Sequence, residues 1–156
     1  MNNEILMILS APLPMKRIMV NDELYLERYH IKNDQDGTQH WLHRFLRNDA
    51  EKHMHSHPWH AVSTVICGSY TEDVRRTDGS ILERSYKAGS TNYIPEDKIH
   101  RIIAVSPNTW THMIVSPERL DEWFFIDDSG VKKYMQTSPA DWYLNCKTRL
   151  QQNSTD

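Results

Sequence analysis

Apolar and polar residues alternate along most of this chain, the period-2 signature of strands with one buried face. Leu24-Tyr25-Leu26-Glu27-Arg28-Tyr29-His30 predicts a strand, Asn33–Gly37 a turn, and Gln39–Leu46 the next strand, which Asn48-Asp49-Ala50-Glu51-Lys52 breaks. Short strands follow over His53–His57, Ala61–Cys67, Ser69–Arg75, Ile81–Tyr86, Ser90–Ile94, His100–Val105, Trp110–Val115 and Glu122–Ile126. Turn signals separate most of them: Gly68, Thr77-Asp78-Gly79, Lys87-Ala88-Gly89, Pro95-Glu96-Asp97, Ser106–Thr109 and Ser116-Pro117-Glu118. Many short strands with no helix between them predict an all-β sandwich or barrel. Ser138 at an N-cap position, Pro139 behind it and Asp141 three residues on predict a helix over about 139–150, with Trp142, Leu144, Cys146 and Leu150 on its buried face. The polar stretch 151–156 reads as a disordered tail.

The 156 residues suit one domain over 1–150, with its core at about 24–126. Eighteen Lys and Arg against 21 Asp and Glu leave a net charge of −3, which disfavours a nucleic-acid partner. No apolar run of 18 residues exists, so no membrane span is expected. The start lacks a basic leader, and Cys67 and Cys146 read as a reduced pair, which together predict a cytoplasmic protein. No P-loop, G-x-G-x-x-G, G-x-S-x-G or CxxC is present, leaving phosphate cradles, serine hydrolysis and zinc ribbons without support.

Histidine is the anomaly. There are nine, and four lie in His53-Met54-His55-Ser56-His57-Pro58-Trp59-His60. In an extended segment residues two apart share a face, so His53, His55 and His57 line one side until Pro58 ends the strand. Neighbouring imidazoles can converge on one ion at a metal–nitrogen distance of about 2.0–2.1 Å. The best further ligand is His100, eleven residues past Gly89, after a short strand and the Pro95 corner. His30, His40 and His43 read as structural or exposed.

Here the chain resembles the cupin superfamily. His55 and His57 match the H-x-H of the first cupin motif, G-x5-H-x-H-x3-4-E-x6-G, and Gly68 its closing glycine. Gly89, Pro95 and His100 match the second, G-x5-P-x-G-x2-H-x3-N, with Asp97 where a glycine is usual. H-x-H-P-W followed by G-x-Y-x-E also looks like small single-domain cupins of bacteria and phages. The resemblance covers about residues 53–104. It implies a double-stranded β-helix, the jelly-roll barrel, with one divalent metal ion inside, held by His55, His57 and His100; the helix over about 139–150 closes the chain after it. Three further positions depart from the pattern. Ala61 and Val62 occupy the glutamate positions, Asp49 stands six residues before His55, and Ala104 replaces the asparagine. The ligand set is thus three-His, as in thiol dioxygenase-type cupins, or is completed by another residue. His60, beside the vacant glutamate position, is the fourth ligand candidate. Glu72 could reach inward, His112 lies on the strand expected to pair with that of His100, and His53 would line the mouth.

An ion held by neutral nitrogens keeps open positions and its full charge, which favours a small anionic substrate. Fe(II) is preferred, with Zn, Ni or Mn as alternatives. The first function reading is a non-haem Fe(II) dioxygenase. The alternatives are a metal-dependent isomerase or lyase on a sugar or organic acid, and a ligand-binding protein without turnover. Glu72, His112 and Tyr70 are the catalytic candidates, and Arg44 and Tyr93 the substrate-binding ones. Trp59 and Trp110 would close the pocket mouth or a dimer face, and the expected partners are a small molecule and a second copy of the chain.

Overall fold

The computed structural model describes residues 3–48 and 53–154; residues 49–52, with Asp49, and the last two residues of the expected tail lie outside them. Among the described residues there are eleven strands: β1 Met15–Val20, β2 Glu23–Asn33, β3 Gln39–Phe45, β4 Ala61–Cys67, β5 Ser69–Arg75, β6 Ile81–Lys87, β7 Thr91–Ile94, β8 Ile99–Val105, β9 Thr109–Val115, β10 Glu122–Ile126 and β11 Lys132–Gln136. One sheet runs β1-β2-β3-β9-β4-β7 and is antiparallel throughout. The facing sheet holds β6-β5-β8, and His55 bridges it to the β10-β11 hairpin by pairing with both His100 and Phe125.

The expected strand His53–His57 is therefore a single bridge position. His55 exchanges backbone bonds with His100 (3.0 Å each way), Ser56 N–H donates to Phe124 O (2.9 Å) and Ile126 N–H to Met54 O (2.8 Å). Pro58 offers no N–H to continue the ladder. The expected pairing of the strands carrying His100 and His112 is also corrected: β8 pairs with β5, whereas β9 lies between β3 and β4 in the other sheet.

Between the sheets, Val20, Tyr25, Leu26, Phe45, Val65, Tyr70 and Ile102 form one apolar cluster. Trp41, Trp59, Ala61, Ile94, Met113 and Val115 form another. A third cluster lies on the outer face of the larger sheet. There Tyr29, Leu42 and Trp110 are covered by Ile5, Ile8 and Leu9 of α1 (Asn3–Ser10), an element the sequence pattern did not suggest. Trp110 is thus buried beneath a helix and closes no mouth.

Gly68 links β4 to β5 at φ +75°, and a Cβ there would sit 2.4 Å from Thr109 Oγ1 and 2.7 Å from Thr109 Cα. Only glycine fits that crossing without moving β9.

The helix expected over 139–150 is divided. Trp142–Asn145 is a 3-10 turn, Cys146 is extended at φ −92°, ψ 140°, and α2 spans Arg149–Asn153 behind a Thr148/Gln151 capping box. Aromatic contacts account for the division. Tyr143 stacks on His30 at 3.7 Å, and Trp142 meets Trp41 edge-on at 5.9 Å, contacts that a continuous helix would have to break. No helix among the described residues is long and apolar enough to cross a membrane.

Candidate metal centre

His55, His57 and His100 come together at one end of the barrel interior. One ligand nitrogen from each lies within 4.8 Å of the others, and His57 Nε2 is 3.0 Å from His100 Nε2. His55 and His100 are buried and His57 is half-buried. Local backbone geometry explains the convergence. The His55 bridge sets its side chain beside that of its partner His100, and His57, two residues on, returns to the same side against Trp59, whose ring stacks on it at 4.3 Å.

Two of the rings are oriented by hydrogen bonds that settle their tautomers. His55 Nδ1–H donates to the His53 carbonyl (3.1 Å), and His100 Nδ1–H donates to Glu72 Oε2 (2.6 Å). Carbonyl and carboxylate oxygens only accept, so in the neutral rings both Nε2 atoms carry a lone pair. Metal-binding histidines characteristically have this outer bond. The donor set fits a divalent ion such as Fe(II), Zn or Ni. Two nitrogens about 2.05 Å from one ion at a right angle would be about 2.9 Å apart, close to the observed His57–His100 spacing of 3.0 Å.

Behind His100 runs a buried polar chain. Glu72 Oε1 accepts from Lys98 Nζ (2.5 Å) and Tyr86 Oη (3.2 Å). Lys98 also donates to Asn92 Oδ1 (2.8 Å), and Asn92 Nδ2 donates to Tyr70 Oη (2.9 Å). Burial alone would raise the Glu72 pKa, but the His100 hydrogen bond and the charges of His100 and Lys98 outweigh it and hold the carboxyl at about 2. Burial lowers Lys98, against the opposing pull of Glu72, and burial pushes the Tyr70 hydroxyl well up, so Tyr70 stays protonated.

Among known proteins, no family model matches this sequence, and no curated protein does. Solved structures do match in fold. The chain superimposes on Streptomyces albus HEPD with 2-hydroxyethylphosphonate and Fe(II) bound (TM-score 0.57, 11% identity, 68% of this chain and 24% of that one). It also matches Fe(II)-HppE with an alternative substrate (TM-score 0.54, 11% identity, 67% and 55%). A third is the capsular polysaccharide assembling protein CapF of Staphylococcus aureus (TM-score 0.54, 18% identity, 81% and 35%). The chain thus spans 55% or less of the length of each of these structures. The fold is that of a cupin.

Within the cupin barrel the remaining expected residues divide by face. Glu72 and Tyr70 point inward and line the cavity, although both Glu72 oxygens are committed to protein partners, so it acts on the centre through His100. Four expected residues lie elsewhere. His60 stands apart from the cluster, with Nδ1 3.2 Å from Glu96 Oε1. His112 alternates with the inward Met113 and so faces outward, where its Nε2 lies 3.1 Å from His40 Nδ1. Tyr93, between inward Asn92 and Ile94, is 60% exposed. Arg44 lies on the outer face of β3, 3.4 Å from Glu27 and over the Trp110 ring, because Trp41, His43 and Phe45 take the inner face. His53 stacks on Phe125 beside Asp128, away from the trio. Both cysteines are free and half-buried.

The inner cavity, about 100 Å³, has room for roughly three waters. It opens into a mouth of about 190 Å³ that shares Arg28, His55, His57 and Trp59 with it. Sequence reasoning passed over Arg28, His43 and Arg119. Arg28 and His43 are paired in register on β2 and β3, and Arg28 Nε donates to His43 Nε2 at 3.0 Å. Burial and the adjacent guanidinium hold the His43 pKa well below its usual value, so the ring is neutral and accepts that bond.

Proposed function

We propose that this cupin is a metal-dependent enzyme of the non-haem Fe(II) dioxygenase type, acting on a small anionic molecule. The convergence of His55, His57 and His100, with two of the rings locked by outer hydrogen bonds, carries the reading. Among the described residues the cluster holds no carboxylate, which supports the anionic preference, since three neutral ligands leave an ion its full charge. Two of the similar structures, HppE and HEPD, are Fe(II) forms, which makes iron the first ion to load.

A bound divalent ion would supply Lewis acidity and, as iron, one-electron chemistry with O2. The protein's own part is positional. Glu72 fixes the tilt of His100, Trp59 backs His57, and Met113, Ile94 and Ile102 wall the cavity with apolar surface that keeps bulk water out. Tyr70, protonated and held by Asn92, presents a hydroxyl to the same chamber.

The test is elemental analysis of untagged protein, repeated for His55→Ala and His100→Ala, followed by oxygen uptake by the iron-loaded form. One equivalent of metal lost in both variants is expected; unchanged metal in either removes that residue from the centre. Metal binding without oxygen uptake under substrate screening would turn the assignment to isomerase or lyase chemistry.

A further inference from the structure

The mouth of the cavity combines an aromatic wall of Trp41, Trp59, Trp123 and Trp142 with basic side chains. Arg28, Arg119 and Lys16 line it, and among the described residues no carboxylate does. Arg28 sits over Trp41, its guanidinium carbon 4.3 Å from that ring centroid and 5.8 Å from that of Trp142. Among the described residues its one hydrogen bond goes to neutral His43, so the remaining N–H groups of the fork are left for something else. Arg119 lies 5.9 Å from the same Trp41 ring and gives one bond to Gln39 Oε1, while its buried Nε has no partner. The buried indole Nε1 of Trp142 has none either.

Two half-buried guanidiniums facing one aromatic wall repel each other. Burial and the charge of Arg119 lower Arg28 to about 10, which still leaves it charged at neutral pH. A pair of cations with spare donors and no counter-ion costs stability unless an anion fills the gap. The planar fork of arginine matches the geometry of a carboxylate or a phosphoryl group.

We infer that Arg28, Arg119 and Trp142 Nε1 form an oxyanion-binding subsite in the mouth. It grips the carboxylate or phosphoryl head of the substrate while the rest of the molecule reaches past Trp59 toward the histidine cluster. As a substrate subsite this rests on the enzyme reading above; the anion site itself stands on the unpaired donors. Lys16 adds charge at the rim. The subsite orients the ligand, because Arg28 and Trp59 border both the mouth and the inner chamber.

The experiment uses chelator-treated, metal-free protein titrated separately with inorganic phosphate and with acetate, read by tryptophan fluorescence and by thermal shift. Trp41, Trp59, Trp123 and Trp142 all flank the site and report on it. A saturable response to at least one anion is expected, and the responding anion identifies the head group. Arg119→Gln and Arg28→Gln are each expected to weaken it about tenfold or more. Arg28 packs on Trp41, so if Arg28→Gln does not fold, Arg119→Gln decides the matter. No saturable response to either anion by about 10 mM, or wild-type affinity in Arg119→Gln, overturns the inference. Metal stoichiometry is measured on the same variants. Metal retained with anion binding lost supports the subsite, and anion binding in a protein that takes up no metal would sink the enzyme reading alone.

Discussion

Replacing Glu72 by Gln tests whether the carboxylate behind His100 tunes the centre. The substitution keeps the shape and one acceptor oxygen for His100 Nδ1–H, but removes the charge from a fully buried position. Lys98, whose side chain is 9% exposed, then has no counter-ion. Losing such an outer partner weakens metal affinity by about 10- to 100-fold, or roughly 1.4–2.7 kcal/mol. The metal-free protein loses stability too. The Glu72 carboxyl lies at about 2 in the fold against an ordinary 4.5. Its folded pKa is depressed, so its contribution is complete above about pH 4.5 and is lost as pH falls toward 2. The size of that contribution is on the order of 3 kcal/mol. Thermal unfolding of the wild type is therefore expected to fall more steeply than that of Glu72→Gln between pH 4.5 and 2. Metal affinity is read by competition with a chromophoric chelator at neutral pH. A folded Glu72→Gln protein that binds metal within about twofold of wild type would refute the argument that His100 is tuned through this bond.

His57→Ala removes the half-buried member of the trio and should abolish the thermal shift that saturating metal gives, about 2.7 kcal/mol at one hundred times Kd, as seen by calorimetry with and without ion. His112→Ala and Arg44→Ala act on outward-facing side chains and should leave metal stoichiometry unchanged by elemental analysis. Gly68→Ala places a methyl group against the Thr109 backbone at φ +75°, and is expected to cost about 2–4 kcal/mol by denaturant unfolding.

How much was legible in the sequence depends on how local each signal is. Strands with a buried face, such as β4 with Ala61, Ser63 and Val65 inward, show their period directly. β1 does not, because a bulge between Ile18 and Met19 breaks its alternation and leaves Met19 53% exposed. β11 carries no burial signal at all: each of its residues is exposed, and it exists as the partner of β10. The helix caps at Ser138 and Pro139 were sound local chemistry, overridden by the hold of His30 and Trp41 on Tyr143 and Trp142.

The histidine centre and the basic mouth lie at opposite ends of that scale. His55 and His57 announce themselves because ligands two residues apart on one extended segment are a local pattern, and only His100 had to be found at a distance. The mouth has no such pattern. Arg28 comes from β2, Arg119 from the loop after β9, and Trp142 from the turn after β11, and none stands near another in sequence. Arg28 could have been placed only through register. The run Leu26-Arg28-His30 shares a face, and so does Trp41-His43-Phe45, but that these two faces are the same one follows from the Arg28–His43 pairing. Arg44 neighbours the aromatic run Trp41-His43-Phe45 in sequence, and alternation turns it outward for that very reason. An inward arginine such as Arg28 is therefore found by asking which charged residue is in register with an inward aromatic or histidine on the next strand, rather than which one stands beside it in the chain.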